Sequence, residues 1–415
     1  MRTKSFLLLF LLFVTPLVAE EAAPKEDKVE ETTVRKVRFK KNKISVSKRD
    51  DLVLSGNVQI KWNEIEIDTN ADPRDPDDPN GPFIPPLSPN QVWTAEANLW
   101  INHRTDCTWA EMNFRFKQFA GQKTGTTGKW TLERAFIGYQ FWDCPDKSRL
   151  QVELGRMKIS DRFQSEVEYC SLFNGILFGY GVPLRGFADL YLQLGAMVID
   201  FRSDFYSWIV GADFDSILGT GWYFKYSFID WARRSPIRLP FPPPVDPRVI
   251  FPYRNSQFLV GYKFPLEWTC KIPVHVNGGV VWNHAARREP ELLNHLGNVA
   301  WWVQLQLGKI VKKCDWALKI GYQYVGLFSI LESDVCGIGR GNLSNSSIFT
   351  QGGLFRTPGL IRGNTNYRGV AASFVFAATD NLSVQVSYNT SREITELFGG
   401  VLHYSKSEIK FSYIF

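Results

Sequence analysis

The sequence predicts an all-β protein, a transmembrane antiparallel β-barrel of about sixteen strands with short turns at one end and long loops at the other. Three observations predict it. Segments of roughly 9 to 13 residues repeatedly alternate apolar and polar side chains, the period and length of a tilted membrane strand. The connections between these segments alternate in length. The chain closes on Ile409, Phe411, Tyr413 and Phe415, interleaved with Glu408, Lys410 and Ser412, so one face of the last strand is apolar and ends on an aromatic residue.

Composition agrees. A chain of 415 residues is long enough for two or three soluble domains, or for one large barrel. With 22% charged residues it is no bundle of membrane helices, and beyond the amino terminus no run approaches the ~18 consecutive apolar residues such a helix needs. Aromatic residues make up 14%, including 14 Trp, which suits the boundary between lipid and water. A net charge of +6, scattered along the chain, gives no argument for a nucleic-acid partner.

Residues 1–19 read as a secretory signal: Arg2 and Lys4, an apolar run from Phe6 to Val14, then Leu17, Val18 and Ala19 before the expected cleavage. Residues 20–51 are charged, acidic first and then basic, with too little apolar content to fold alone; a weakly ordered periplasmic extension is expected. Residues 52–415 carry the barrel.

The strands follow in order. Leu52 to Trp62 comes first. Val92 to His103 sets Trp93, Ala95, Ala97, Leu99 and Ile101 against Thr94, Glu96, Asn98 and Asn102. Thr108 to Phe119 sets Ala110, Met112, Phe114 and Phe116 against Glu111, Asn113, Arg115 and Lys117. Trp130 to Trp142 and Arg149 to Met157 repeat the pattern. Gly175 to Gly181 shows it faintly, and Phe187 to Asp200 strongly. Further strands fit Phe205 to Phe214, Gly221 to Trp231, Gln257 to Leu266, Ile272 to Asn283, Val299 to Ile310 and Trp316 to Leu327. Tyr367 to Ala378, Leu382 to Arg392 and Leu402 to Phe415 complete the set.

Counted back from Phe415, every second connection is short: 378–381, 311–315, 267–271, 215–220, 182–186, 143–148 and 104–107. The others include 68–90, 159–172, 232–256, 285–298 and 328–366, all long; 201–204 is the exception. A soluble sandwich has no reason to sort its loops this way. In hydrocarbon a sheet must close on itself to satisfy its backbone, and a barrel of this size is too wide for side chains to fill. The polar face, with Gln193, Gln304, Gln306, Lys319, Gln323, Gln385 and Asn389 among others, then lines water. Buried in a dry core it would be very costly.

At this point the chain resembles bacterial outer-membrane general-diffusion porins. More loosely it is similar to the porin-like outer-membrane proteins of chlamydia-related bacteria, through residues 132–139 (LERAFIGY), 153–156 (ELGR), 173–176 (FNGI) and 378–384 (ATDNLSV). The resemblance implies passive diffusion of small hydrophilic solutes and ions across the bacterial outer membrane. It also implies contact with outer-membrane lipids, a homotrimer, and delivery to the assembly machinery through the carboxy-terminal strand. In such barrels the third external loop narrows the lumen. Here that loop is 159–172, and its Asp161, Glu166 and Glu168 are expected to face a basic wall of Arg115, Lys117 and Arg134, setting a transverse field.

Secretion makes the six cysteines disulfide candidates. Cys107 and Cys144 fall in successive short turns, as do Cys270 and Cys314. A bridge within either pair must span two strand spacings, about 9–10 Å, so the turns would have to lean together. Cys170 and Cys336 lie in separate outer loops, to pair with each other or to crosslink to other envelope proteins. No catalytic constellation is expected, because no histidine sits near a serine in a nucleophile-like arrangement. His284, His295, Glu289 and Glu291 share one loop, but loop histidines are usually solvated, and neither a metal nor a cofactor is expected. Trp100, Trp109 and Trp302 fall on the lumenal face, where they either stack on sugar rings or pack beneath an inward loop. An adhesin or a disulfide-linked structural envelope protein on the same barrel is the alternative.

Overall fold

A computed structural model describes residues 43–45, 51–69, 90–120, 128–143, 148–199, 202–233, 253–266, 272–286, 297–331, 334–338, 365–394 and 402–415. The chain divides into residues 1–38, none of them described, and a compact unit of residues 39–415. The signal segment therefore lies outside the described residues, as does most of the charged extension. Of the latter, Lys43–Ser45 (β1) is a short strand paired antiparallel with the next one, an addition that its charged surroundings did not announce.

The sixteen strands of the barrel are β2 (Asp51–Thr69), β3 (Asn90–Arg104), β4 (Thr108–Ala120), β5 (Lys129–Asp143), β6 (Arg149–Lys158), β7 (Leu172–Leu184), β8 (Ala188–Ile199) and β9 (Arg202–Asp215), followed by eight more. These are β10 (Trp222–Arg233), β11 (Arg254–Leu266), β12 (Ile272–Asn283), β13 (Val299–Gly308), β14 (Trp316–Val325), β15 (Tyr367–Ala377), β16 (Leu382–Glu393) and β17 (Leu402–Ile414). Each pairs antiparallel with its chain neighbour, and β17 returns to pair with β2 along its whole length. These sixteen strands form a closed barrel, each paired on both sides. Every strand expected from the alternation is present, and the seven connections expected to be short are short.

The period of two sorts the side chains by face. On β13, Trp301, Val303 and Leu305 point outward and are exposed, whereas Ala300, Trp302 and Gln304 point inward and are buried. The same division puts Leu54, Val58 and Ile60 of β2 and Phe411 and Tyr413 of β17 outside. Aromatic pairs collect on the outside at both ends. Trp222–Tyr262 and Trp316–Phe374 stack toward the short turns, and Trp301–Tyr324 and Trp282–His284 toward the long loops. A continuous apolar outer surface banded by aromatics suits lipid and would be a severe liability in water.

The closing strand ends on a specific contact. Phe415 N–H donates to the Gly56 carbonyl and Gly56 N–H donates to the Phe415 carbonyl, both at 3.0 Å. The Phe415 ring covers Gly56 so closely that a Cβ there would lie 2.5 Å from ring carbon Cζ. Glycine is required at that position by the close approach, not by its backbone angles.

Candidate functional site

The barrel interior is the candidate site, and among the described residues two loop segments enter it. The first, residues 159–171, leaves β6 through a single helical turn, Ser160–Phe163, and reverses twice where Gln164 and Tyr169 adopt left-handed backbone. Ser165 Oγ accepts from the Val167 and Glu168 N–H groups and fixes the bend between them. The loop then runs along inward positions of several strands. Phe163 fills the space above Gly211 of β9, and its carbonyl accepts from Gln257 Nε2 of β11 at 3.1 Å. Tyr169 Oη meets Ser227 Oγ of β10 at 2.8 Å, and Glu168 Oε1 accepts from Asn255 Nδ2 of β11 at 2.6 Å. Both carboxylate oxygens of Glu166 accept from Lys319 Nζ of β14 at 2.9 Å, and Gln323 Nε2 donates to the Glu166 carbonyl at 3.3 Å.

The second loop follows β14, and its described part, residues 326–331 and 334–338, lies against the first. Asp334 holds it there: its carboxylate accepts from the Tyr169 and Ser171 N–H groups at 3.2 and 3.0 Å, and its carbonyl from Cys170 N–H at 3.2 Å. Cys336 N–H donates back to the Val167 carbonyl at 2.7 Å. A disulfide joins Cys170 to Cys336 across 166 positions of sequence, one of the two options left open for these cysteines. Between these polar contacts, apolar side chains of the loops and the inward wall pack together. Ile330, Val335 and Ile338 pack with Trp302 and Tyr367, while Ile159, Phe163 and Tyr169 pack with Phe173, Ile209 and Trp231. Trp302 thus serves as packing beneath a loop and is almost fully buried.

Burial and the neighbouring Asp334 carboxylate push the Glu168 carboxyl well above the usual carboxylate range, against the opposing pull of the Asn255 hydrogen bond. Burial likewise pushes the Tyr169 phenol well up, with Glu168 adding to it.

Polar side chains line the wall formed by β17 and β2 to β5. Glu96, only 4% exposed, stands at its centre. Its Oε2 meets Lys61 Nζ at 2.9 Å, and its Oε1 meets Arg115 Nη2 at 2.9 Å and Lys117 Nζ at 3.7 Å. Arg115 also reaches Glu133 at 3.3 Å, Arg134 reaches Glu111 at 3.2 Å, and Lys406 reaches Glu408 at 3.0 Å. A bulge between β4 and β5 at Asn113/Phe114 brings both Glu133 and Arg134 to this network although they are adjacent in sequence. Simple alternation could not have shown that. Arg162 of the first loop pairs with Glu153 of β6, a strand that also supplies the partner of Trp109 Nε1 at 3.3 Å.

The expected site residues therefore divide. Arg115, Lys117 and Arg134 do lie together on the inner wall, but their carboxylate partners come from neighbouring strands. Glu166 and Glu168 do lie on an inward loop, yet they bind the wall on which that loop rests, at Lys319 and Asn255. Each of these two acids takes the donor directly beneath it. The side chain of Asp161 lies outside the described residues. Cys107 and Cys314 are exposed free thiols, so neither expected turn-to-turn bridge is formed at its described end; Cys144 and Cys270 lie outside the described residues. Two strand spacings, about 9–10 Å, exceed disulfide reach. His284 bonds Ser256 Oγ at 2.8 Å, while Glu289, Glu291 and His295 are outside the described residues.

No protein-family model matches the chain, and no curated protein matches it. Among solved structures, it is similar to the high-pH structure of OprB from Pseudomonas putida, with a TM-score of 0.51 and 10% identity over 88% of this chain and 94% of that one. It also aligns with OmpF from Salmonella typhi in complex with daunomycin, with a TM-score of 0.49 and 11% identity over 90% of this chain and all of the other. At such identity the likeness to OprB is one of fold.

Proposed function

We propose that the chain is an outer-membrane channel of the porin type, through which small hydrophilic solutes and ions diffuse passively. One observation carries the reading: a closed barrel, apolar outside, whose inner wall along β2 to β5 carries a connected network of charged side chains centred on Glu96, beside a Lys406–Glu408 pair on β17. Buried in a dry interior such a network would carry a heavy desolvation cost; bordering water, it is cheap to maintain. The likeness of fold to OprB supports the same reading. A cleaved signal over residues 1–19, a periplasmic extension over 20–51, insertion by way of the carboxy-terminal strand and a homotrimer complete the proposal.

The stapling of two inward loops favours a second reading. A lumen filled by residues 159–171, 326–331 and 334–338 would make the barrel a structural or adhesive envelope protein. Single-channel recording of the refolded protein in a planar bilayer separates the two. Stepwise openings support the channel. A folded, heat-modifiable barrel that never conducts refutes it and favours the filled lumen.

A further inference from the structure

The charged wall contains an arrangement that β-sheets ordinarily avoid. Lys410 of β17 lies directly opposite Lys61 of β2, and Lys117 of β4 directly opposite Lys129 of β5, both pairs on the inward face. Like charges opposite one another on an antiparallel pair are destabilising. Glu96 is the one carboxylate shared among Lys61, Arg115 and Lys117, so it neutralises them only in part. Glu133 is held by Arg115, and Glu408, two residues before Lys410, by Lys406 at 3.0 Å. Neither described carboxylate of the inward loop compensates, because Glu166 is held by Lys319 and Glu168 is buried against Asn255. Among the described residues of this strip of the inner wall, the cations Lys61, Arg115, Lys117, Lys129 and Lys410 therefore outnumber the carboxylates Glu96 and Glu133.

We infer that this strip is an anion track. Resting on the channel reading above, the inference is that Lys61, Lys117 and Lys410 admit small anions in preference to cations of similar size. Fixed charges on a low-dielectric wall concentrate ions of the opposite sign in the narrow water beside them. The sheet tolerates the lysine–lysine pairs because a passing anion, with Glu96 beneath, relieves their repulsion.

The test is the reversal potential of the channel across a gradient of potassium chloride. The wild-type protein should pass chloride in preference to potassium. Lys61→Gln combined with Lys410→Gln should lower the chloride-to-potassium permeability ratio roughly twofold per lysine, the screened attraction across about 8 Å of water. Lys61→Arg with Lys410→Arg keeps the charge and should keep the ratio, separating lost charge from a disturbed wall. A wild-type channel that prefers potassium, or a ratio unmoved in the glutamine variant, overturns the anion track and leaves the channel standing. A folded barrel without conductance overturns both.

Discussion

Glu168 has no exposure to solvent, and only one of its two carboxyl oxygens has a hydrogen-bond partner. Burial and the Asp334 carboxylate raise its proton affinity well above that of an ordinary carboxyl group. The sign of the consequence follows from linkage. Between the ordinary carboxyl range and the raised value, the folded loop holds a proton that the unfolded chain has released. Stability therefore falls as pH rises through that window, and is fully present below it. The inward loop should accordingly loosen toward alkaline pH, seen as faster proteolytic cutting between residues 159 and 171. Glu168→Gln, which keeps an oxygen for Asn255 and cannot ionise, should flatten that pH profile. A profile identical to wild type would mean that the carboxyl is not what titrates. Lys319 and Glu166, which pair across the same loop, make the complementary case: both are about one-third or more exposed, so Glu166→Gln should cost no more than about 1 kcal/mol in thermal unfolding.

At the scale of elements, the first loop depends on the fit of Phe163 against β9. A Cβ at Gly211 would stand 2.5 Å from Phe163 Cε1, so Gly211→Leu must displace the ring. We expect a penalty of about 1–3 kcal/mol, typical of overpacking, borne by the loop and not by the strands. Proteolysis of the loop should rise while the barrel retains its heat-modifiable mobility. The staple is the second support. Cys336→Ser should destabilise the protein to denaturant by roughly 2–4 kcal/mol, since it releases a long closed segment of chain. These contacts explain what could and could not be read in advance. Strand β3 was legible because lipid on one face and water on the other impose strict alternation on Trp93 to Asn102. Strand β7 was legible only over 175–181, although it spans Leu172–Leu184. Its inward face, Phe173, Gly175, Leu177 and Gly179, sits under the inward loops and is apolar or bare, so the polar half of the alternation is missing. The basic residues Arg115 and Lys117 were placed by parity alone. The targets of Glu166 and Glu168 were not, because Lys319 and Asn255 are 153 and 87 positions away and leave no trace in local spacing. The second inward loop was invisible for the same reason.

For the whole molecule, the decisive event is closure of β17 on β2, which leaves no unpaired edge in a medium that offers backbone groups no other partner. Phe415 sits at the end of that seam, exchanging two backbone hydrogen bonds with Gly56 and laying its ring across it. Two roles for this residue make different predictions. As a closing contact it should matter to the folded barrel itself. Phe415→Ala, which removes a half-exposed ring from the seam, should then lower stability in detergent by about 1–2 kcal/mol of lost apolar burial. Gly56→Val displaces the same ring and also crowds the Asn98 carbonyl, so it should cost at least as much. The double variant should be scarcely worse than Gly56→Val alone, because the ring contact is already lost there and what remains is the crowding of the Asn98 carbonyl, 2.9 Å from a Cβ at position 56. As a recognition element for an assembly machinery alone, Phe415→Ala would refold in detergent like the wild type and fail only in cells. Comparing the fraction of heat-modifiable barrel formed in detergent and in cells for the three variants decides between them. A wild-type yield for Gly56→Val in both settings would remove the ring contact from the account of closure and leave the paired backbones of β17 and β2 to carry it.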